Sequence, residues 1–171
     1  MSPGGARPLD PGTWIGLPML WAIAATILFA VPLRVFGLQL PEPAFPLALV
    51  FAWAVIRPSI LAPFAVLVLG LFLDIFWGSP LGLWALSMLI AYGVTLSARS
   101  FMVGQSGAVL WGWYGAMCAL TLAAGSMFTL MQLDAAPAFR PLAWQWFWTV
   151  LLYPLVHRLI DRFEDADVRF R

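Results

Sequence analysis

Six stretches of this chain are so nearly free of charge that water is the wrong solvent for them, and this constrains the fold more than any single motif. About 20 consecutive apolar residues carry a helix across a hydrocarbon layer of roughly 30 Å. Runs at 14–35, 60–77, 81–98, 107–131 and 142–160 reach or approach that length, and a shorter one lies at 44–56. With 63% of 171 residues hydrophobic and only 10% charged, the chain lies far from a soluble domain, in which about a quarter of residues are charged. The expectation is an all-α integral membrane protein, a six-transmembrane-helix bundle over 14–160. A cytoplasmic segment 1–13 precedes it and a cytoplasmic tail 161–171 follows.

The first run is long for a signal peptide and lacks a small-x-small cleavage site ahead of a polar mature chain, so an uncleaved spanning helix is expected. The run at 44–56 opens beside Pro43 and Pro46, where a missing N–H does no harm. Arg57-Pro58 closes it, because the residue before a proline is biased away from helix. A five-helix alternative, in which 44–56 only dips into the bilayer, stays open at this point.

Arginines test the topology independently, since basic residues near helix ends concentrate on the cytoplasmic side. With a cytoplasmic N-terminus, Arg7, Arg57, Arg99, Arg158, Arg162, Arg169 and Arg171 fall inside, and only Arg34 and Arg140 outside. Six spans with both termini in the cytoplasm follow from that asymmetry. Trp14, Trp77, Trp144 and Trp146 stand at expected helix ends, as interfacial anchors do. Trp111, Trp113 and Trp148 lie further in, at positions suited to packing or lipid contact.

Two helices carry small residues one turn apart: Ala22, Thr26 and Ala30 in the first, Gly115, Ala119 and Ala123 in the fifth. Such stripes let helices approach closely in a solvent as apolar as leucine. Ala22/Thr26/Ala30 is therefore a candidate helix-packing face, against this chain or a partner's helix.

Chemistry-bearing residues are scarce. All nine basic residues are arginines and the net charge is +1, so there is no basic patch for nucleic acid. The single Cys118 excludes an internal disulfide and a cysteine metal site. His157, beside Arg158 in the last turn of the sixth run, suits the negative end of a helix. Asp161, Glu164, Asp165 and Asp167 alternate with arginines in a tail that reads as a solvated cytoplasmic end. No cofactor, metal or catalytic constellation is expected.

Asp74 is the exception. A charged side chain inside a spanning helix costs roughly 2.5–3.5 kcal/mol on insertion scales, and a carboxylate near a helix C-terminus also opposes the helix dipole. The residues after it suggest the compensation. Gly78 can end the third helix in a left-handed turn. Ser79 and Pro80 read as N-cap and first residue of the fourth, and the free N–H groups of Leu81 and Gly82 are within reach of a carboxylate that turns back. The expectation is a helical hairpin locked by Asp74; a partner-facing surface or a proton or ligand site are the other roles open to it.

The sequence Gly70-Leu-Phe-Leu-Asp74, then Gly78-Ser79-Pro80-Leu81-Gly82 running into another apolar helix, resembles the MreD family of rod shape-determining membrane proteins of bacteria. Length, six apolar runs and Arg-bearing cytoplasmic ends are similar too, so the resemblance covers most of the chain. It implies a non-enzymatic scaffold of the cell-elongation machinery in the bacterial inner membrane. The partners it implies are an MreC-like bitopic protein, an MreB-like filament and the RodA/penicillin-binding transpeptidase pair that builds peptidoglycan.

It also implies a fold similar to the substrate-binding subunits of energy-coupling-factor vitamin transporters, which supplies the rival function. A transporter subunit needs polar or aromatic groups converging on an outward pocket, and the outer loops offer only Gln39, Glu42, Gln132, Asp134 and Arg140. A third class, an intramembrane enzyme, lacks any paired acid, base or metal set.

Overall fold

The computed structural model describes residues 12–29, 34–35, 38–39, 43–56, 58–133, 138–154 and 157–158. Among them the chain is helical throughout apart from turns and one minimal ladder. A π-helical turn, Gly12–Gly16, leads into α1 (Leu17–Phe29). Two-residue strands β1 (Arg34–Val35) and β2 (Leu38–Gln39) pair antiparallel, Arg34 opposite Gln39. Then follow α2 (Phe45–Val55), α3 (Ala62–Trp77), α4 (Leu83–Ser97), a single turn α5 (Arg99–Met102), α6 (Gly107–Leu133) and α7 (Phe139–Leu151).

Among the described residues one helix is long and apolar enough to cross a bilayer, over Gly107–Met131. The other apolar helices have 11 to 16 residues, about 16–24 Å at 1.5 Å per residue. The first expected span is cut short, because α1 is described to Phe29 and Arg34–Val35 is already strand, paired antiparallel with β2. The last begins at Phe139, ahead of the expected start, and α7 is interrupted after Leu151, with further helical residues at 153–154 and 157–158. The interruption has a covalent cause. Pro154 has no N–H, so the carbonyl of Val150 loses its helical donor, and the indole of Trp111 on α6 takes that place at 3.1 Å.

The shortest run is the centre of the molecule. Every residue of α2 from Pro46 to Val55 is buried, as befits a helix that is apolar all round. It is flanked by α1, α3 and α4, and Phe51 meets Tyr114 of α6 edge-on at 5.5 Å. Buried without side chains of its own to cap it, α2 is capped by others. Thr149 of α7 accepts the Ala44 N–H at 3.1 Å, and Arg99 donates to the carbonyls of Val55 (2.7 Å) and Ile56 (3.3 Å) at the other end. Arg99 therefore serves as an internal cap for orphan carbonyls.

Around α2, α4 packs on α3 and α6, and α7 lies mainly on α6. The α3–α4 crossing is closest at Gly70, where a Cβ would lie 2.3 Å from the Ala85 Cα. On α6, Gly125 faces Leu83 and Ser87 of α4, and Gly115 faces Trp146 and Val150 of α7. Trp14, expected at an interface, is instead buried in the core, while Trp144 is largely exposed.

Candidate functional site

The α3–α4 hairpin is built from its glycines. Gly78 ends α3 with φ 63° and Gly82 opens α4 with φ 95°, both in the left-handed region that L side chains avoid. At the α3 end, the Ser79 N–H reaches back to the Asp74 carbonyl at 2.9 Å, the six-to-one bond of a Schellman cap. Pro80 to Leu83 then form a turn closed by the Leu83 N–H on the Pro80 carbonyl at 3.1 Å.

Into this turn projects the carboxylate of Asp74, which is fully buried. Its Oδ2 accepts the Gly82 N–H at 2.8 Å and its Oδ1 the Trp84 N–H at 2.8 Å. The Ser79 hydroxyl donates to Oδ1 at 3.3 Å. Both backbone donors belong to the first turn of α4, so the charge sits on the positive end of that helix. Trp77 and Trp84 close over the hairpin edge-to-face at 4.8 Å, and the Gly70–Ala85 crossing lies one turn below. The acid of one helix thus supplies the N-cap that the next helix, opening on glycine, has no side chain to make.

Two details differ from the sequence reading. Ser79 is not the N-cap of the fourth helix; Gly82 is, because the turn closed on Pro80 delays the helix by three residues. For the same reason the second donor is Trp84 and not Leu81. Asp74, Gly78, Ser79, Pro80 and Gly82 are nonetheless brought into one motif.

The Ala22/Thr26 face does not form an open groove. Both residues are buried where α1 lies on α2, and the Thr26 hydroxyl bonds back to the Ala22 carbonyl at 2.8 Å. Ala30 lies outside the described residues. The second stripe divides: Gly115 is covered by α7, whereas Ala119 and Ala123 are exposed. Beside it runs a groove of about 400 Å³ between α6 and α7, floored by Ala108, Gly112, Ala116 and Ala119 and walled by Trp111 and Trp146. The sequence signal for this face was present, in the one-turn spacing of Ala108, Gly112 and Ala116, but three-dimensional packing decides which small residues stay uncovered.

Hydroxyl groups elsewhere in the interior are occupied, whereas the buried indole nitrogen of Trp148 has no hydrogen-bond partner among the described residues. The hydroxyls of Ser87, Thr95 and Thr121 donate to the carbonyls of Leu83, Ala91 and Met117 four residues back. Tyr114 donates to the Thr149 carbonyl at 3.2 Å and Trp146 to that of Gly115 at 2.9 Å. Cys118 is buried, and His157 stacks on Tyr153 at 5.8 Å. Among the described residues no three His, Cys, Asp or Glu side chains converge as metal ligands would. The acidic tail residues, Glu42 and Asp134 lie outside the described residues. Arg99 and Thr149, both caps of α2, were missed by the sequence reading because nothing local marks which helix end they reach. No family model, curated protein or solved structure matches the chain.

Proposed function

We propose that this chain is a multi-pass membrane scaffold of the MreD type, a six-helix bundle of the bacterial inner membrane with both termini cytoplasmic. It would act without enzymatic chemistry, holding an MreC-like bitopic partner, and through it an MreB-like filament and the RodA/transpeptidase pair, in a defined arrangement for peptidoglycan synthesis. The observation that carries the reading is the hairpin. Asp74 is the residue most suggestive of chemistry, yet its carboxylate is buried and spent on the backbone of α4, which leaves architecture as its role.

Exposed apolar faces support the membrane part. Leu20, Trp21 and Leu28 of α1, Phe64, Val68 and Ile75 of α3, and Leu86, Ile90 and Val94 of α4 point outward from the fold. A continuous apolar exterior of this kind needs lipid or protein against it. The back-bonded hydroxyls inside favour a scaffold over a vitamin carrier, which would aim such groups into a pocket.

Because Ala22 and Thr26 are buried, the partner face of this reading is the α6 groove, where small residues would let a second helix approach closely. Gly112→Leu with Ala116→Leu fills that groove without touching the core, since a Gly112 Cβ meets nothing within 4 Å. Detergent co-purification from rod-shaped cells should then lose the MreC-like protein, and cells should round. Retained partner and normal rods in a well-expressed double mutant exclude this face. A wild-type protein that holds no such partner but tightly retains a vitamin-sized molecule refutes the scaffold.

A further inference from the structure

α7 carries one face that none of the other described residues covers. Arg140, Ala143, Trp144, Phe147 and Leu151 recur at three- and four-residue steps, and all are exposed. The first four of these, with Phe139, line a shallow groove of about 440 Å³. The groove is apolar along its length and has its one charge at one end, where Arg140 donates to none of the described residues. From Arg140 to Leu151 the helix rises about 16 Å at 1.5 Å per residue, close to half of a hydrocarbon layer of about 30 Å. What sets this face apart from the α6 groove is the cation at its end, which suits a phosphate headgroup and not the apolar flank of a partner's helix.

We infer that this face of α7 holds a single anionic phospholipid, its phosphate on Arg140 and one acyl chain along Ala143, Trp144 and Phe147. The site rests on the membrane reading above and, with that topology, belongs to the outer leaflet. Arginine suits the role because its guanidinium presents paired donors to phosphate oxygens. The aromatic rings beside it match the headgroup boundary, where amphipathic rings settle. The contact with the chain is dispersion and apolar burial, so specificity resides in the charge.

The test uses the full chain purified in an uncharged detergent, with phosphatidylglycerol or phosphatidylcholine of identical acyl chains added and bound lipid counted by native mass spectrometry. One juxtamembrane cation contributes about fivefold in favour of the anionic lipid. Arg140→Gln should abolish that preference, Arg140→Lys should keep most of it, and Ala143→Trp, which fills the groove, should lower retention of both lipids. An unchanged lipid ratio in Arg140→Gln, or wild-type retention in Ala143→Trp, overturns the site. Displacement of phosphatidylglycerol by millimolar inorganic phosphate alone would mark an ion site and overturn the lipid. A chain recovered in the soluble fraction of cells refutes the membrane reading itself, whereas a membrane-embedded chain without lipid preference refutes only this inference.

Discussion

Removing the Asp74 carboxylate should be among the most damaging single changes available in this fold. In Asp74→Ala the N–H groups of Gly82 and Trp84, now each bonded at 2.8 Å, lose their acceptor in a half-buried turn. A buried donor left without a partner costs about 1–3 kcal/mol, so two cost roughly 2–6 kcal/mol. Relief from burying a charge offsets part of this. Asp74→Asn discriminates between charge and geometry. An amide has one acceptor oxygen and turns an NH₂ group toward the second backbone donor, so about half the loss is expected where a purely electrostatic role would predict all of it. The measurement is the apparent melting temperature of purified protein, followed by loss of the monodisperse peak in size-exclusion chromatography. A chain of this size shifts by about 2–4 °C per kcal/mol, which puts Asp74→Ala about 4 °C or more below wild type before that offset, with Asp74→Asn between. If Ala melts with wild type, the hairpin lock is wrong. If Asn melts with Ala, charge and not bond geometry holds the turn.

Gly70→Ala should prevent stable folding, because its Cβ would lie 2.3 Å from the Ala85 Cα and 2.7 Å from the Ala85 nitrogen. Ala85→Gly should fail to rescue it, since the clash is with backbone; accumulation of a well-folded Gly70→Ala protein would contradict the α3–α4 crossing. For the topology, in a Cys118→Ser background a cysteine at the exposed Phe139 should react with an impermeant thiol reagent from the periplasm, and one at the exposed Gln105 should not. The reverse pattern would invert the orientation that the arginine count predicts.

Much of the fold was legible in the chain because it follows from solvent preference and local stereochemistry. Apolar runs placed α2, α3, α4 and α6 to within a few residues, since a helix is the one structure that satisfies its own backbone where water is excluded. Gly78 announced a left-handed stop, and Asp74 announced that something must compensate it. What only the tertiary structure decided was which groups meet. Whether Ala22 and Thr26 face a partner or α2 depends on which helix arrives first, and their spacing is the same either way. The donors to Asp74 moved from Leu81 to Trp84 because a turn closed on Pro80 shifted the start of α4, a choice set by the left-handed Gly82 together with the 2.3 Å limit at Gly70. Arg99, counted in the sequence only as a positive charge, became the cap of α2 because residues 44 positions apart were brought together. Local rules reach about one helical turn; which end of which helix a long side chain satisfies is settled by packing.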